Sequence, residues 1–593
     1  MKRFITIFLG VALAASLIIA CATPGAQRQT GVFRGSAVGY VGTMIVEVEV
    51  NRGNIRRIDV VQHNETPILS DVAFQRVISA VVNEGNLNVD NVTGATFTTM
   101  ALRTAITEAL TSAGIDTGAM MRPRQRPVGG QTIYKQADVI VIGGGGAGLA
   151  AAVSAAQNGS SVIVLEKLAF LGGCTLISGS GFNAVNPRIQ MAENPPIYDS
   201  IDLHFQQTWD AGDRRADPAI VRVMVENALD AIYWLTDLGL EWDQRVKMIP
   251  GGLHRRANTP TLPLGIGFIE VYQRFIDRVG SNVEVLLETR ATELITEGGR
   301  VVGVKATNAD NNTVVVRANN GVVMATGGYS ANVEMRMYFD RQWGGILDRR
   351  VLNTNLPGSM GDGIVMGQAI GANLVGMEYT QLVPFGHPGT GAPSGLIGGS
   401  VEDTLYINLE GRRFINENSR RDDLTLAAFD QTDTVLIVVM DSRTLPTGYE
   451  YNIFNETHNF MVEYGHAFRA DTLEELAVLI GVPVNAFLQT IMDFNAAVDA
   501  GRCEFGRTDF RGRIETPPFL AGPRVPTVHH TMGGLQIDTY ARVIHKNGNV
   551  IPGFYAAGEV AGGVHGTNRV GGNALTDITV FGRIAGESAA LRR

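Results

Sequence analysis

Gly143-Gly144-Gly145-Gly146-Ala147-Gly148 stands directly after the apolar run Val139-Ile140-Val141-Ile142 and directly before an alanine-rich stretch. A glycine at the first position of such a turn permits a tight bend, one at the third admits a pyrophosphate to the backbone, and one at the sixth lets the next helix lie close to the strand. Gly143, Gly145 and Gly148 occupy those positions, and a helix start offers free N–H groups to an anion. Glu166 closes a second apolar run, Ser161-Val162-Ile163-Val164-Leu165, about 20 residues on, where it is placed to accept from a ribose hydroxyl. The chemistry is dinucleotide binding. A second phosphate-type site is Asp90-Asn91-Val92-Thr93-Gly94-Ala95-Thr96, where a glycine precedes a helix start; read alone, it is a threonine-rich helix cap. Three further stations, far apart in the chain, carry cationic or polar groups: residues 408–422 with Arg421, the run His529-His530-Thr531-Met532-Gly533-Gly534, and residues 563–569 ending in Arg569. By themselves Arg421 reads as a salt-bridge partner of Asp422 or Glu417, and His529 as a satisfied core histidine.

These groups need elements to hold them. Residues 44–50 and 55–61 alternate as strands, residues 71–83 turn helical, and a further helix starts after Thr96 with Ala101, Ala105 and Leu110 on one face. This predicts a small α+β domain over 31–115. A linker rich in Arg, Pro and Gly follows at 116–136. With 593 residues, 45% of them hydrophobic, and 70 glycines, the chain can bury several cores. A formal charge of -9 and the lack of a long basic run exclude nucleic acid as a partner class. Lys2, Arg3 and an apolar run over 4–20 read as an export signal. Ile18-Ile19-Ala20-Cys21 resembles a bacterial lipobox, which implies a lipid on Cys21, a membrane anchor and an exported lipoprotein; a plain membrane anchor or a secretory signal with an incidental cysteine is the alternative. Cys174 and Cys503 are the remaining cysteines, so no disulfide framework is implied, the lack of Cys-x-x-Cys-His excludes c-type haem, and no histidine spacing suggests a catalytic metal.

The Asp90 to Thr96 segment, followed by Thr98 and Thr99, resembles the FMN-binding domain of sodium-pumping quinone reductase subunits and flavinylated reductases. That resemblance implies FMN held covalently through a phosphoester on Thr96. Downstream of Glu166, the runs Gly172-Gly173-Cys174-Thr175, Ala325-Thr326-Gly327-Gly328, Gly361-Asp362-Gly363, Ala556-Ala557-Gly558-Glu559 and Gly571-Gly572-Asn573-Ala574-Leu575 resemble successive FAD contacts in the flavoprotein subunit family of fumarate reductase and succinate dehydrogenase. The resemblance covers 137–593. It implies non-covalent FAD, touched by these residues together with Gly146, Ala147, Glu166 and Lys167. By the same register Arg421 matches the family's proton donor, His529 its substrate-binding histidine and Arg569 the arginine that clamps a substrate carboxylate. Such a set suits hydride transfer to the β carbon of an enoate, because negative charge then grows toward the carboxylate, where a guanidinium and a histidine stabilise it. Arginine is an unusual acid, with a free pKa above about 12, and serves only if proton loss is coupled to quenching of the α carbanion.

The chain departs from fumarate reductases at two places. Gln381-Leu382-Val383-Pro384 stands where the family carries Gln-x-His-Pro, and Leu396-Ile397-Gly398-Gly399-Ser400 where it carries Thr-Glu-x-x-Arg. The missing groups bind fumarate's second carboxylate and relay its proton, so an apolar or aromatic tail of acrylate or cinnamate type is expected instead. Urocanate fits if His387 or Glu402 reaches its imidazole, and Glu402 or Asp403 is the candidate replacement for the relay. The expected architecture is α/β: a Rossmann-type FAD-binding domain over 137–377 and 527–593, an inserted α+β capping domain over 378–526, and the FMN domain in front. Electrons are expected to pass from a membrane donor, quinol- or flavin-based, through FMN to FAD and a small carboxylic acid. The alternatives are an amino-acid or ketosteroid dehydrogenase or oxidase, and a non-catalytic electron carrier.

Overall fold

The computed structural model describes residues 29–40, 42–122, 129–393, 401–443, 452, 454 and 456–593. The expected signal segment with Cys21, and the run Leu396-Ile397-Gly398-Gly399-Ser400, lie outside the described residues. The chain forms two compact units. The first holds the described residues through Asn64 with Phe74–Asp90 and Phe97–Arg124; the second holds Glu65–Ala73, Asn91–Thr96 and Gln125–Arg593. No described helix is long and apolar enough to cross a membrane.

In the first unit the strands Gly31–Val38, Thr43–Asn51 and Asn54–Gln62 pair antiparallel in chain order. Met44, Val46, Val48 and Val50 are at most 1% exposed while Glu47 and Glu49 face outward, the alternation of a half-buried strand. The helix Thr96–Ser112 is rich in threonine, a weak helix former by about 0.5 kcal/mol per residue. Its Leu102, Ile106 and Leu110 are fully buried, and each such side chain contributes about 1.5–3 kcal/mol, so packing rather than propensity holds the helix. Gly35 is what lets it approach, since a Cβ there would lie 2.0 Å from the Ala105 carbonyl oxygen.

The second unit is built on a sheet in which Thr132–Ile142, Val162–Leu165 and Val283–Leu286 run parallel on one side and Thr313–Met324 and Val550–Ala556 on the other. The pairing of Val322 with Phe554 brings the C-terminal segment back to the first sheet, as expected for a nucleotide-binding fold in two chain segments. The strand Thr132–Ile142 begins inside the expected linker, which therefore ends before Thr132 rather than at 136. The helices Gly146–Gln157 and Asn573–Leu591 pack backbone to backbone: a Cβ on Gly586 would lie 2.2 Å from the Ala151 oxygen.

The inserted segment forms its own antiparallel sheet from Thr380–Gly386, Phe519–Thr531, Leu436–Asp441 and Leu405–Ile407. Ile407, Val439, Phe487 and Phe494 make its core. The expected boundary at Pro526 falls inside the strand Phe519–Thr531, which is continuous because all but three of its residues are buried in pairing on both sides. That strand delivers His529 from the inserted sheet to the site.

Candidate active site

The turn after Thr132–Ile142 behaves as its glycines require. Gly143 has φ +105°, and a Cβ there would lie 2.3 Å from the Ala325 oxygen; one on Gly148 would lie 1.8 Å from the Gly143 oxygen. At Gly145, by contrast, a Cβ would meet nothing closer than 3.9 Å, which leaves an open floor for a phosphate. A cleft of about 900 Å³ runs over this floor. Its residents include Glu166, whose two carboxylate oxygens accept from the N–H groups of Gly144 and Leu168 at 2.7 Å each. Burial still raises the Glu166 pKa, and each oxygen keeps a lone pair for a ribose hydroxyl. Lys167 reaches Asp362 at 2.5 Å, and Asp362 also accepts from Arg290 at 2.7 Å, so the cleft carries positive charge at this end. The buried Thr326 hydroxyl has no partner among the described residues, and Gly327 at φ +74° has open space where a Cβ would stand. Open glycine backbone, an orphan hydroxyl and two cations suit a dinucleotide with its pyrophosphate.

Of the expected FAD contacts, Gly143, Gly145, Gly146, Ala147, Glu166, Lys167, Gly173, Thr175, Thr326, Gly327, Asp362 and Glu559 line the cleft, Ala574 and Leu575 line a neighbouring cavity, and Gly148, Gly172, Gly328 and Asn573 line neither. Gly148 and Gly172 serve packing, and a Cβ on Gly328 would overlap Thr531 and Glu559. The Asn573 amide turns inside the protein, donating to Thr208 at 2.9 Å, accepting from Asn183 at 2.8 Å and meeting His204 at 3.0 Å. Thr96 opens its helix, Thr96–Ser112, after Gly94 at φ +93°.

The neighbouring cavity, about 1150 Å³, shares Cys174, Thr175, Glu559 and Ile578 with the cleft. Arg421, His529 and Arg569 all line it, brought together from three chain regions. Arg421 is the first residue of the helix Arg421–Phe429, where the helix dipole favours acids such as the neighbouring Asp422 and Asp423 and disfavours a cation. A broken local rule of this kind marks function rather than folding. Among the described residues Arg421 has no carboxylate partner: Asp422 binds Arg420 at 2.5 Å, and Glu417 binds Arg413 and Arg507. Its Nε donates to the Pro250 oxygen and its Nη1 to Gln381 Oε1. Burial, then Arg569, push the Arg421 pKa down from its usual range. Arg569 is 4% exposed with its Nε unpartnered, and burial lowers it to about 10, which leaves it charged at neutral pH. Gln381 ties the two together, accepting from Arg421 and donating to the Asn568 side chain and the Arg569 carbonyl.

His529 and His530 both line the cavity although neighbours on a regular strand face opposite sides. A β-bulge accounts for this: Gln381 pairs with His530 and Leu382 with Val528, so His529 is the extra residue. Burial, then Arg421 and Arg569, hold His529 well below its usual pKa, so it is neutral. Its Nδ1 meets the Thr354 hydroxyl at 2.9 Å. His530 stands 3.6 Å from Glu559, whose carboxylate also accepts from the Thr531 N–H. Val383 and Phe385, on one strand face, join Ile249, Pro393 and Phe454 as apolar wall. Glu402 is bound by Arg255 and Arg511 at 3.0 Å and Asp403 by Arg511 at 3.3 Å, and neither is among the cavity's lining residues, which weighs against the relay expected of them. His387 packs on the His466 ring at 4.8 Å and is also absent from the lining, which weighs against its contact with a substrate imidazole. Gln381, Thr354, Asn355 and His530 were not foreseen as site residues; each is placed by long-range contacts that no local pattern encodes.

The FAD binding domain family model matches residues 138–575, most of the second unit and more than half of the chain. The chain belongs to this family. The FMN-binding domain model matches residues 39–111, so FAD and FMN are its cofactors. The NADH:acrylate oxidoreductase of Vibrio harveyi is 36% identical across 95% of this chain and 61% of its own length. The chain thus spans about three fifths of that relative. The urocanate reductase of Eggerthella lenta is 33% identical across 97% of this chain and 94% of its own length. Among solved structures, the open form of a flavocytochrome c3 fumarate reductase superposes with a TM-score of 0.61 at 30% identity, over 77% of this chain and 78% of that one. The chain is thus a fumarate reductase-like flavoprotein with an N-terminal FMN-binding domain, in a family of named oxidoreductases.

Proposed function

We propose that this chain reduces the carbon–carbon double bond of a small α,β-unsaturated monocarboxylic acid of acrylate or cinnamate type. One observation carries the reading: two buried guanidiniums, Arg421 and Arg569, face one cavity with no ion pair to a carboxylate among the described residues, and the remaining wall is largely apolar. Burying two cations with only Glu559 on the cavity wall and Asp577 near Arg569 as counter-charge, and no ion pair to either among the described residues, is costly, and a ligand carboxylate supplies what is missing. FAD, when bound, supplies the hydride. Arg569 and His529 grip the carboxylate, and their hydrogen bonds strengthen as charge grows on it, an effect of about 3–4 kcal/mol per well-placed donor. Arg421 gives a proton to the α carbon, and the same burial beside Arg569 that lowers its pKa eases that release.

A second carboxylate would face Val383, Phe385 and Phe454 without a donor, at several kcal/mol. Turnover of acrylate is therefore expected to exceed that of fumarate by about 100-fold or more in kcat/KM, measured with a reduced dye as donor; equal rates would remove the monocarboxylate assignment. A neutral steroid would leave both guanidiniums unpaired, which disfavours the dehydrogenase alternative.

FMN is proposed to sit on Thr96 by a phosphoester and to pass electrons to FAD from a membrane donor, with Cys21 lipidated to hold the exported protein there. Thr96→Ala should yield protein that, after acid precipitation, shows no flavin fluorescence in a denaturing gel. Fluorescence persisting in that variant would place the covalent flavin elsewhere.

A further inference from the structure

We infer that Thr354 is a positioning residue that sets the tautomer of His529, so that this histidine presents Nε2–H to the substrate carboxylate. The inference rests on the reading of the cavity as a carboxylate site. A neutral imidazole carries one proton, on Nδ1 or on Nε2, and the partner of one nitrogen decides the role of the other. His529 is neutral, because burial and the facing Arg421 and Arg569 disfavour its charged form. With the proton on Nδ1, the ring would donate to Thr354 and turn a lone pair toward the incoming carboxylate. With Nδ1 bare, the Thr354 hydroxyl donates to it across 2.9 Å and Nε2–H is left for the anion, since no group among the described residues bonds Nε2.

The hydroxyl is fixed for this task from both sides. The Thr354 N–H donates to the Val528 oxygen at 2.9 Å, and Asn355 Nδ2 donates to the His529 oxygen at 3.1 Å. Asn353 forms a parallel bridge with Val528. The segment 353–355 is thereby strapped along the strand end that carries the bulged His529, and the Thr354 hydroxyl has no partner among the described residues other than Nδ1. Val is the same size as Thr without the donor. In Thr354→Val Nδ1 is left without a partner, as an acceptor if bare and as a donor if protonated.

The test is titration of the flavin-loaded protein with propionate, a saturated monocarboxylate, followed by the absorbance of the bound flavin. Thr354→Val is expected to weaken binding by about tenfold, and Thr354→Ser, which keeps the hydroxyl, to stay within about threefold of the natural protein. Histidine-selective nitrogen NMR of the propionate complex should show His529 with its proton on Nε2, a signature that a purely structural role for Thr354 would not set. Unchanged binding in Thr354→Val, a Ser variant as weak as the Val variant, or a proton on Nδ1 overturns the inference. If the natural protein does not bind propionate at all, the carboxylate reading itself fails, and this inference with it.

Discussion

Arg421→Ala is expected to lower kcat for acrylate by about three to four orders of magnitude while both flavins stay bound and KM changes little. The expectation follows from where the guanidinium is and what it lacks. It lines the cavity beside Arg569 and His529, is buried, and among the described residues has only the Pro250 carbonyl and Gln381 as side-chain hydrogen-bond partners. The nearest acids in sequence are committed elsewhere, Asp422 to Arg420 and Glu417 to Arg413 and Arg507. Loss of the side chain therefore breaks no ion pair and leaves no orphan carboxylate, so the fold should hold while the proton source disappears. Anaerobic turnover with reduced dye measures this, with flavin content from absorbance as the control. Retained turnover in Arg421→Ala would remove it from the acid role.

Arg569→Met is expected to lower kcat/KM by about three orders of magnitude, divided between a raised KM and a lower kcat, because the same guanidinium binds the carboxylate in the ground state and stabilises its growing charge. Its effect on stability should be opposite to that of an ordinary core truncation. Arg569 is 4% exposed with an unpartnered Nε and one long contact, at 3.4 Å, to the Val570 oxygen. Replacing a buried, poorly paired charge by an apolar side chain of similar length is neutral or stabilising. Thermal unfolding should place the variant within about 3 °C of the natural protein or above it. A large fall in Tm with kcat/KM preserved would mean that Arg569 serves packing and that the clamp lies elsewhere.

The nucleotide-binding half was legible because its signals are local. Gly143, Gly145 and Gly148 are read from one turn, their strand and helix are adjacent in sequence, and each glycine meets the backbone constraint its spacing implied. Arg421, His529 and Arg569 were found through the motifs around them, and the fold brings them to one cavity. What sequence could not show is which charges pair. Glu402 and Asp403 stand near the lost relay in sequence, but Arg511, over 100 residues later, takes them both. Asn573 lies in a flavin-type motif, yet its amide turns into a buried cluster with His204, Asn183 and Thr208, because the left-handed Gly572 starts the helix there. The β-bulge that turns two neighbouring histidines to the cavity depends on the partner strand Thr380–Gly386 and has no one-strand pattern. Thr354 reaches His529 across 175 residues, a contact only tertiary structure reveals.

The central claim is that the Arg421, His529 and Arg569 cavity carries an enoate to the flavin. The most direct measurement is a single turnover: the flavin-loaded protein, reduced chemically under anaerobic conditions, is mixed with acrylate, cinnamate, urocanate or fumarate, and the flavin absorbance is followed. The account predicts rapid reoxidation by acrylate or cinnamate with formation of the saturated acid, and reoxidation by fumarate slower by about 100-fold or more. A reduced flavin that persists in the presence of all four acids would contradict it.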